Sequence, residues 1–399
     1  MLEEGTIVEH ELTSTDDTMQ YAEVIDNASL FRATETRAMQ APHRRGRHQH
    51  ILPVALVTRN PSQIKIRSDQ LTYRLLLGLL DGKHYTKHQL PLLAEYSQIL
   101  PKGRGHVSIT FESGRQESWE QVLASLDLLG DELVDTFLVL LAVALDANGT
   151  ERIATPFAIT PDDILAICQK KKSKGSYPAR QRLNVIKQVQ ALASITVRAT
   201  LILRDGKQWL VESPLVEVLI NEHLDEDEIY SGHANWYLWH LKIGDWASMI
   251  PELRSQTTLM ARQLLHYHAR QQKYEKRLGR YLTVLYRINA RNHEGYVKVS
   301  MGVLLEQTGI TLDRDNPGRT RDAIESALNQ LYSDGVIGAF TPLLERSPRG
   351  KEVQERIEQH AYHWWDDYQR QLWLFQPPEQ FKSLYHGIRR RVEEPDQRE

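Results

Sequence analysis

Cysteine is nearly absent from this chain of 399 residues, which contains Cys168 alone. A single cysteine excludes a disulfide within the chain, and the scarcity of cysteine fits a reducing compartment. Cys168 directly follows the apolar stretch 164–167. We therefore expect a buried structural thiol at this position and not a nucleophile.

Long apolar runs and a secretory signal are missing as well. The longest apolar run, Phe137–Leu145, is far shorter than the roughly 20 residues that a helix needs to cross a bilayer. Residues 1–17 are acidic and lack the apolar segment of a secretory signal. These features predict a cytoplasmic protein with no membrane partner.

Motifs of the common enzyme classes are absent too. The sequence has no P-loop, no G-x-S-x-G, no H-E-x-x-H and no C-x-x-C. His266 and His268 have the spacing of a rolling-circle nuclease, but their surroundings have helical periodicity, which turns residues two apart in different directions. His386 and Arg389 are spaced as in tyrosine recombinases, yet no tyrosine follows them. We expect no enzyme, no cofactor and no metal, and we keep a nuclease as an alternative.

The whole chain has no large excess of either charge, since 49 Lys and Arg face 52 Asp and Glu. The cations are nevertheless concentrated: residues 170–207 contain ten Lys or Arg and a single acid, Asp205. Dense positive charge is what a nucleic-acid surface needs, because each neutralised phosphate releases counterions. The pattern predicts a localised DNA-contacting surface rather than a non-specific coating protein.

Within this basic segment, Tyr177–Ala193 has apolar residues at helical spacing and polar ones on the opposite face. The polar face offers Arg, Asn and Gln, the side chains that pair with guanine and adenine edges. From Ile195 the period changes to two, and Asp205-Gly206 predicts a hairpin turn before a partner strand at Gln208–Val211. A recognition-type helix that leads into a basic hairpin is typical of a winged-helix domain; a solvated basic helix is the alternative.

The neighbouring segments follow the same order. An apolar helix at Glu132–Asp146 and a short helix opened by Thr160 precede the basic loop. A second set contains a strand at Gly295–Val299, a helix capped by Ser300, and a helix from about Arg319 to Ser333. Its hairpin is predicted to start at residues 336–340.

Further elements are predicted around these two sets. Pattern and turn signals favour a strand at 64–67, helices at 70–80 and 87–100, an edge strand at 107–111, an acidic linker at 221–228, a helix at 250–288 broken near Gly279, and a tail helix at 352–374. The cluster of basic and histidine residues at 43–50 predicts a solvated arm rather than a metal site.

We therefore predict an α+β fold, mainly helical, with two tandem winged-helix domains, an N-terminal extension and a C-terminal amphipathic helix. The predicted divisions are a poorly ordered arm at 1–50, an N-terminal region plus the first winged-helix domain at 51–225, the second winged-helix domain at 226–345, and the C-terminal helix and tail at 346–399.

The helix Arg319–Leu328 that leads into Asp334-Gly335-Val336-Ile337, together with the two-domain order, resembles the replication initiators of iteron-type bacterial plasmids. The resemblance covers about residues 119–345. It implies binding to direct repeats at an origin, opening of an AT-rich segment, recruitment of the host replicative helicase, and self-repression as a homodimer. The N-terminal 115 residues are longer than the family usually carries. The first unit is also the more basic one here, whereas the second commonly makes the principal contact in that family.

Double-stranded DNA is thus the predicted partner, bound without catalysis. The predicted DNA-contacting residues are Lys170, Lys171, Lys172, Lys174, Arg180, Gln181, Asn184, Lys187, Gln188, Arg198, Lys207, Arg319, Arg321 and Asn329. Two non-enzymatic alternatives are a transcription regulator that uses this surface without opening the duplex, and a scaffold protein whose winged helices bind protein.

Overall fold

The described part of the chain is a mixture of helices and strands, with more residues in helices than in strands. The computed structural model describes residues 62–89, 92–100, 105–112, 123, 126–173, 175–202, 206–223, 237–248, 256–290, 295–310, 313, 315–343, 348–360 and 364–382. The predicted arm at 1–50, with its histidine cluster, lies outside these ranges.

Ten helices are described: α1 Gln70–Gly78, α2 Asp131–Asn148, α3 Pro161–Ile167, α4 Ala179–Ala193, α5 Gln263–His266, α6 Lys273–Ile288, α7 Met301–Thr308, α8 Pro317–Ser333, α9 Pro348–Glu358 and α10 Trp364–Arg370. The described strands are β1 Gln63–Arg67, β2 Thr86–Gln89, β3 Leu92–Ile99, β4 Gly105–Glu112, β5 Phe157–Ile159, β6 Ile195–Ile202, β7 Gln208–Pro214, β8 Val216–His223, β9 Tyr237–Ile243, β10 Thr257–Ala261, β11 Val297–Ser300, β12 Phe340–Pro342 and β13 Leu372–Phe375. Among the residues described, no helix is both long and apolar enough to cross a membrane.

Helix α2 lies at the centre of the core. Every residue from Leu133 to Leu145 is buried, because this helix is apolar on all sides and a helix of that kind requires neighbours all round. It packs against α3 and α4 on one side and against β1, β5, β9 and α6 elsewhere. The core helix predicted at Glu132–Asp146 is therefore confirmed.

Five antiparallel strands form the largest sheet, in the order β2-β3-β4-β6-β7. The helix predicted at 87–100 is wrong, since this segment forms β2 and β3. Its buried residues Ala94 and Tyr96 alternate with exposed Ser97 and Ile99, which is the period of a strand. The strand predicted at 107–111 exists, but it is internal rather than at an edge, because β4 pairs with both β3 and β6.

The predicted hairpin after α4 is present as the pair β6 and β7. However, β6 also pairs along its other edge with β4, so the hairpin belongs to the five-stranded sheet and does not project as a free wing. Strand β4 lies about ninety residues before β6 in the chain, and no local sequence pattern predicts that the two strands pair.

Gly105, at the start of β4, is required by close packing. Its φ is +122°, and a Cβ at this position would lie 1.9 Å from the Thr200 carbonyl oxygen in β6. We expect Gly105→Ala to lower the free energy of unfolding in urea by about 2–3 kcal/mol, from backbone strain and displacement of β6. Gly149, at φ +72° with open space around it, is the control, and alanine there should cost about 1 kcal/mol. Equal losses at the two positions would contradict this account of Gly105.

A three-stranded sheet of order β5-β9-β8 packs beside α2. Strand β5 lies between α2 and α3 in the chain, and it pairs with β9, which follows β8. The acidic segment predicted as a linker begins inside β8, and its residues from 224 onward lie outside the described ranges. A division of the chain at 225/226 would separate the paired strands β8 and β9.

A second three-stranded sheet has the order β11-β13-β12. The single tail helix predicted at 352–374 is instead two helices: α9 ends at Glu358, before His360 with φ +49°, and α10 covers Trp364–Arg370. The end of the prediction is wrong, because 372–375 form β13 between β11 and β12. The predicted strand at 336–340 begins only at Phe340. A cut at 345/346 would remove the central strand from this sheet.

The helix predicted at 250–288 is also replaced, by β10, α5 and an unbroken α6. Gly279 does not interrupt α6. A Cβ there would lie 2.3 Å from Leu264 Cδ2, so this glycine allows α5 to pack closely on α6.

The predicted helix ends are confirmed where a local cap encodes them. Thr160 Oγ1 accepts from the backbone N–H of Asp163, whose carboxylate accepts from the N–H of Thr160 in return. Ser300 caps α7, and Gly309 ends it in the left-handed conformation at φ +64°.

Two buried carboxylates of α2 bind α6. Asp135 accepts from Lys276 Nζ at 2.5 Å and from Arg280, and Asp131 accepts from Arg280 Nη1 at 2.7 Å and from Arg277 Nε at 3.0 Å. Lys276 is 0% exposed and also donates to the carbonyl of Leu264. This ion cluster fixes α6 against the central helix.

Candidate nucleic-acid interface

Helix α4 contains five of the fourteen predicted DNA-contacting residues, more than any other element. It begins after Pro178, which stands just before the first turn where its missing N–H costs nothing. Its buried side packs on α2 and α3. That side contains Arg182, Val185, Ile186, Gln188, Val189, Ala191 and Leu192.

The opposite side of α4 is a continuous exposed stripe. It contains Arg180, Leu183, Asn184, Lys187 and Gln190. Spacings of three and four residues align these side chains along one face of the helix. Among the described residues, no carboxylate pairs with Arg180 or Lys187, so both charges are available to an external ligand. Leu183 and Gln190 are members that the sequence prediction missed.

Arg182 belongs to the protein interior. Its guanidinium donates two hydrogen bonds to the Asp162 carboxylate, at 2.6 and 2.7 Å, and the residue is 8% exposed. Hydrogen bonding to Asp162 raises the pKa of Arg182 against the opposing effect of burial. The pair ties α4 to the first turn of α3 and so sets the angle at which the exposed stripe is presented.

Gln188 is wrongly predicted to face DNA. It is 8% exposed, and its Oε1 accepts a hydrogen bond from Thr136 Oγ1 at 2.6 Å. The reason is that α4 packs against two helices at once, which buries a wider arc than its apolar residues alone define. Gln181 is partly buried, and it lines a small cavity of about 160 Å³ together with Cys168. Burial raises the pKa of the Cys168 thiol to about 12, as a structural cysteine requires.

The basic loop before α4 presents two lysines to solvent. Ser173 and Ser176 exchange backbone hydrogen bonds of 2.7 and 3.1 Å around Gly175, forming a tight turn. Lys171 and Lys172 precede this turn and are exposed. The Lys172 Nζ lies 5.1 Å from the centre of the Tyr177 ring, which orients its charge toward the start of α4. Lys170 is half-buried, and Lys174 lies outside the described residues.

Arg198 and Lys207 belong to the hairpin of the five-stranded sheet. Arg198 is paired across the strands with Glu212 at 3.2 Å, which compensates its charge. Lys207 is exposed at the start of β7. Because β6 is an internal strand, neither cation stands on a free wing, contrary to the prediction.

On α8 the predicted residues divide into two groups. Arg319 and Asn329 are exposed, as predicted, but Asp322 is exposed on the same helix. Arg321 instead forms contacts within the protein: it donates to the Glu325 carboxylate at 2.8 Å and to the Ile357 carbonyl of α9 at 3.1 Å. Its predicted phosphate contact is therefore replaced by an internal role, because α9 packs against the start of α8.

The two histidines of the nuclease alternative have local partners. His268 is exposed, and its Nδ1 accepts from the backbone N–H groups of Arg270 and Gln271 at 3.2 and 3.3 Å. Burial, reinforced by Arg262 and Lys276, lowers the pKa of His266 to about 4. Within the described ranges, no group of three His, Cys, Asp or Glu residues could hold a metal ion.

A cleft of about 520 Å³ lies beside the exposed stripe. One wall is α4, with Asn184 and Gln188, and a second is the start of α2. The third is the turn before α6, which brings Arg270 and Lys273 to the cleft. The sequence prediction missed these two cations, since they lie more than seventy residues from α4 in the chain.

Comparison with known proteins adds little to this geometry. No family model and no curated protein matches the chain. A crystal structure of domains 2 and 3 of RctB is similar over 64% of this chain and 83% of its own, with 11% identity and a TM-score of 0.34. A TM-score this low does not establish a shared fold, so neither the fold nor the function of this chain follows from the likeness.

Proposed function

We propose that this chain is a sequence-specific, non-catalytic double-stranded DNA-binding protein built on two winged-helix units. The first unit is α2, β5, α3, α4, β8 and β9, and the second is α6, β11, α7, α8, β12 and β13. In both, the last strand lies between the other two, in the orders β5-β9-β8 and β11-β13-β12. This shared order of helix, strand, two helices and two strands supports a repeated unit whose third helix, α4 or α8, is the reading element.

The two units differ in the segments that are inserted between their third helix and their last strand. In the first, β6 and β7 leave α4 for the five-stranded sheet before the chain returns as β8. The hairpin that follows α4 therefore belongs to the five-stranded sheet and is not proposed as the wing of this unit. In the second, α9 and α10 lie between β12 and β13, where a wing would stand.

The exposed stripe of α4 is the observation that carries the proposal. Asn184 lies between Arg180 and Lys187, so a side chain that can pair with adenine is flanked by two uncompensated cations. Lys171 and Lys172 add charge at the end of the helix that enters a groove in helix-turn-helix proteins. On α8 the exposed face is less basic, because Asp322 opposes Arg319. The first unit is thus proposed to make the principal contact.

Substitution of the stripe tests this proposal directly. We expect the triple variant R180A/N184A/K187A to bind a duplex selected by the wild-type protein about 100-fold more weakly, since side chains that bind bases and phosphates are removed together. Lys171, Lys172, Lys187 and Arg319 together should contribute about −4 to the wild-type slope of log affinity against log salt, from about −0.9 per phosphate. Fluorescence anisotropy across a salt series measures both quantities.

The matched control is K298A/K351A, which removes two exposed lysines from β11 and α9. It should bind as the wild-type protein does. A wild-type slope near zero would remove the proposal, and unchanged DNA binding by the triple variant would favour a scaffold that uses these helices to bind protein.

Within this class, we propose an origin-binding initiator of the iteron-plasmid type, on the resemblance of the α8 segment. This proposal includes two partners: the host replicative helicase and a second copy of this chain in a homodimer. Permanganate reactivity of an AT-rich segment beside the bound repeats distinguishes the initiator from a transcription regulator. Reactive thymines that appear on binding support initiation, and their absence supports a regulator.

A further inference from the structure

We infer that Arg270 and Lys273 form a second phosphate-contacting wall for the DNA that α4 reads. The inference rests on the proposed function and extends it to residues outside the first unit. Both side chains line the same cleft as Asn184 of α4. A helix in the major groove has phosphates on both flanks, because the groove is only about 12 Å wide. Cations that share a cleft with α4 lie beside this helix, where such a phosphate chain passes.

The charges of these two residues are available. Arg270 and Lys273 are exposed, and among the described residues neither forms an ion pair. Lys273 Nζ lies 5.1 Å from the centre of the Tyr274 ring, a contact that leaves the ammonium open to an anion. Arg277, deeper in the same wall, is already paired with Asp131 and is therefore not counted.

The turn that carries Arg270 is held in place before any ligand binds. Its backbone N–H donates to His268 Nδ1 at 3.2 Å, and the N–H of Gln272 donates to the His268 carbonyl at 2.8 Å. His268 N in turn donates to Gln272 Oε1 at 3.0 Å. A turn stabilised by three such bonds presents its cation at a small cost in conformational entropy.

Lys273 is fixed relative to α4 through the central helix. Gln188 of α4 binds Thr136 of α2, and the adjacent Asp135 binds Lys276, one turn after Lys273 in α6. Two buried contacts at neighbouring residues of α2 thus connect the two walls of the cleft. The spacing between the stripe and the second wall is therefore set by the fold and does not depend on DNA.

The cleft also contains acids, and their placement argues against a general anion pocket. Asp127 and Glu132 line the wall formed by the start of α2 and are exposed. A phosphate chain that passes the α6 wall avoids them, whereas a small anion free to enter the cleft meets charges of both signs. The arrangement fits an extended polyanion held on one side.

The test is the double variant R270A/K273A, measured by anisotropy on a selected duplex and on a random-sequence duplex from about 50 to about 200 mM NaCl. We expect the salt slope to become less steep by about 2, because each phosphate that is no longer neutralised accounts for about 0.9. Affinity should fall by the same factor on both duplexes, since phosphate contacts carry no base information. The K298A/K351A variant should leave the slope unchanged.

Three outcomes decide the inference. A reduced slope with equal losses of affinity on both duplexes supports it. An unchanged slope in R270A/K273A, while R180A/N184A/K187A loses binding, overturns the inference and leaves the proposed function in place. Failure of the wild-type protein to bind any duplex overturns both. Far-UV circular dichroism and urea unfolding of each variant exclude loss of fold as the cause of an effect.

Discussion

Replacing Asp135 by alanine is expected to lower the free energy of unfolding by about 3–5 kcal/mol. Asp135 is 4% exposed and is the carboxylate that accepts from Lys276 Nζ at 2.5 Å. Its removal leaves the fully buried ammonium, within the described part of the chain, with the backbone carbonyls of Leu264 and Leu265 as acceptors. An unpaired buried charge is costly because the protein interior solvates it poorly.

The pKa of Lys276 shows which partner of this pair matters more. Burial lowers that pKa below its usual value, although Asp135 opposes the shift. The charged form is therefore already disfavoured in the folded protein, and Lys276→Met should cost much less than Asp135→Ala. For the same reason, the double variant D135A/K276M should be more stable than D135A alone.

The pH dependence of D135A follows from the direction of that shift. When a lysine has a folded-state pKa below its unfolded value, the unfolded chain binds more protons between the two, so stability rises with pH in that window. Without Asp135 the folded-state pKa falls further and the window widens. The stability of D135A should thus recover partly as the pH rises toward 10.5, the ordinary lysine value.

Urea unfolding over a pH series measures these effects. Glu306→Ala, which removes an exposed carboxylate from α7, is the control and should change stability by less than about 0.5 kcal/mol. If D135A proved as stable as E306A, or K276M failed to improve D135A, the free energy of unfolding would not depend on the buried pair.

Local signals predicted the parts of the fold that depend on a few neighbouring residues. The capping pair Thr160 and Asp163, the Ser300 cap and Gly309 each place a helix end, because the chemistry of a cap lies within one turn. The unbroken apolar sequence of α2 likewise predicted a core helix. Local signals did not predict which strands pair in a sheet. Strand β6 has β4 as its second partner, and β13 lies between strands that precede it by thirty residues or more.

Segments with mixed periodicity were the ones predicted wrongly. In the stretch 87–100, exposed Ile99 supplies an apolar residue that fits a helical pattern, whereas the buried residues Ala94 and Tyr96 alternate as in a strand. Gly279 looked like a helix break because glycine disfavours helices, yet the close approach of Leu264 is what requires it.

For the candidate site, sequence identified the helix but not its exposed face in full. Arg180, Asn184 and Lys187 are exposed as predicted, because they oppose the apolar residues of α4. Gln188 and Arg182 are polar and yet buried, each satisfied by a partner on another helix. A polar residue whose partner is distant in sequence cannot be told from a surface residue by periodicity alone.

Asp69→Ala is expected to lower the free energy of unfolding by about 4 kcal/mol, through two losses at one carboxylate. Asp69 caps α1 by accepting from the backbone N–H of Thr72 at 2.9 Å, and a cap of this kind contributes about 1 kcal/mol. The same side chain accepts from Arg67 Nε at 2.7 Å, and the two residues are 0% and 2% exposed. Without Asp69, the guanidinium loses the carboxylate that accepts from its Nε, while its contacts with the Ala247 carbonyl and the Trp246 ring, 5.8 Å away, remain.

Asparagine at position 69 separates the two losses. It retains the cap, since Asn and Asp cap helices equally well, but it removes the charge that pairs with Arg67. Asp69→Asn should therefore cost about 3 kcal/mol, the share of the buried pair. Asp81→Ala removes a comparable cap, in which Asp81 accepts from the exposed Lys83 N–H at 2.9 Å, and should cost no more than about 1 kcal/mol. Urea unfolding of the three variants gives the comparison. A D69N protein as stable as the wild type would show that the other contacts of Arg67 satisfy its charge without this carboxylate.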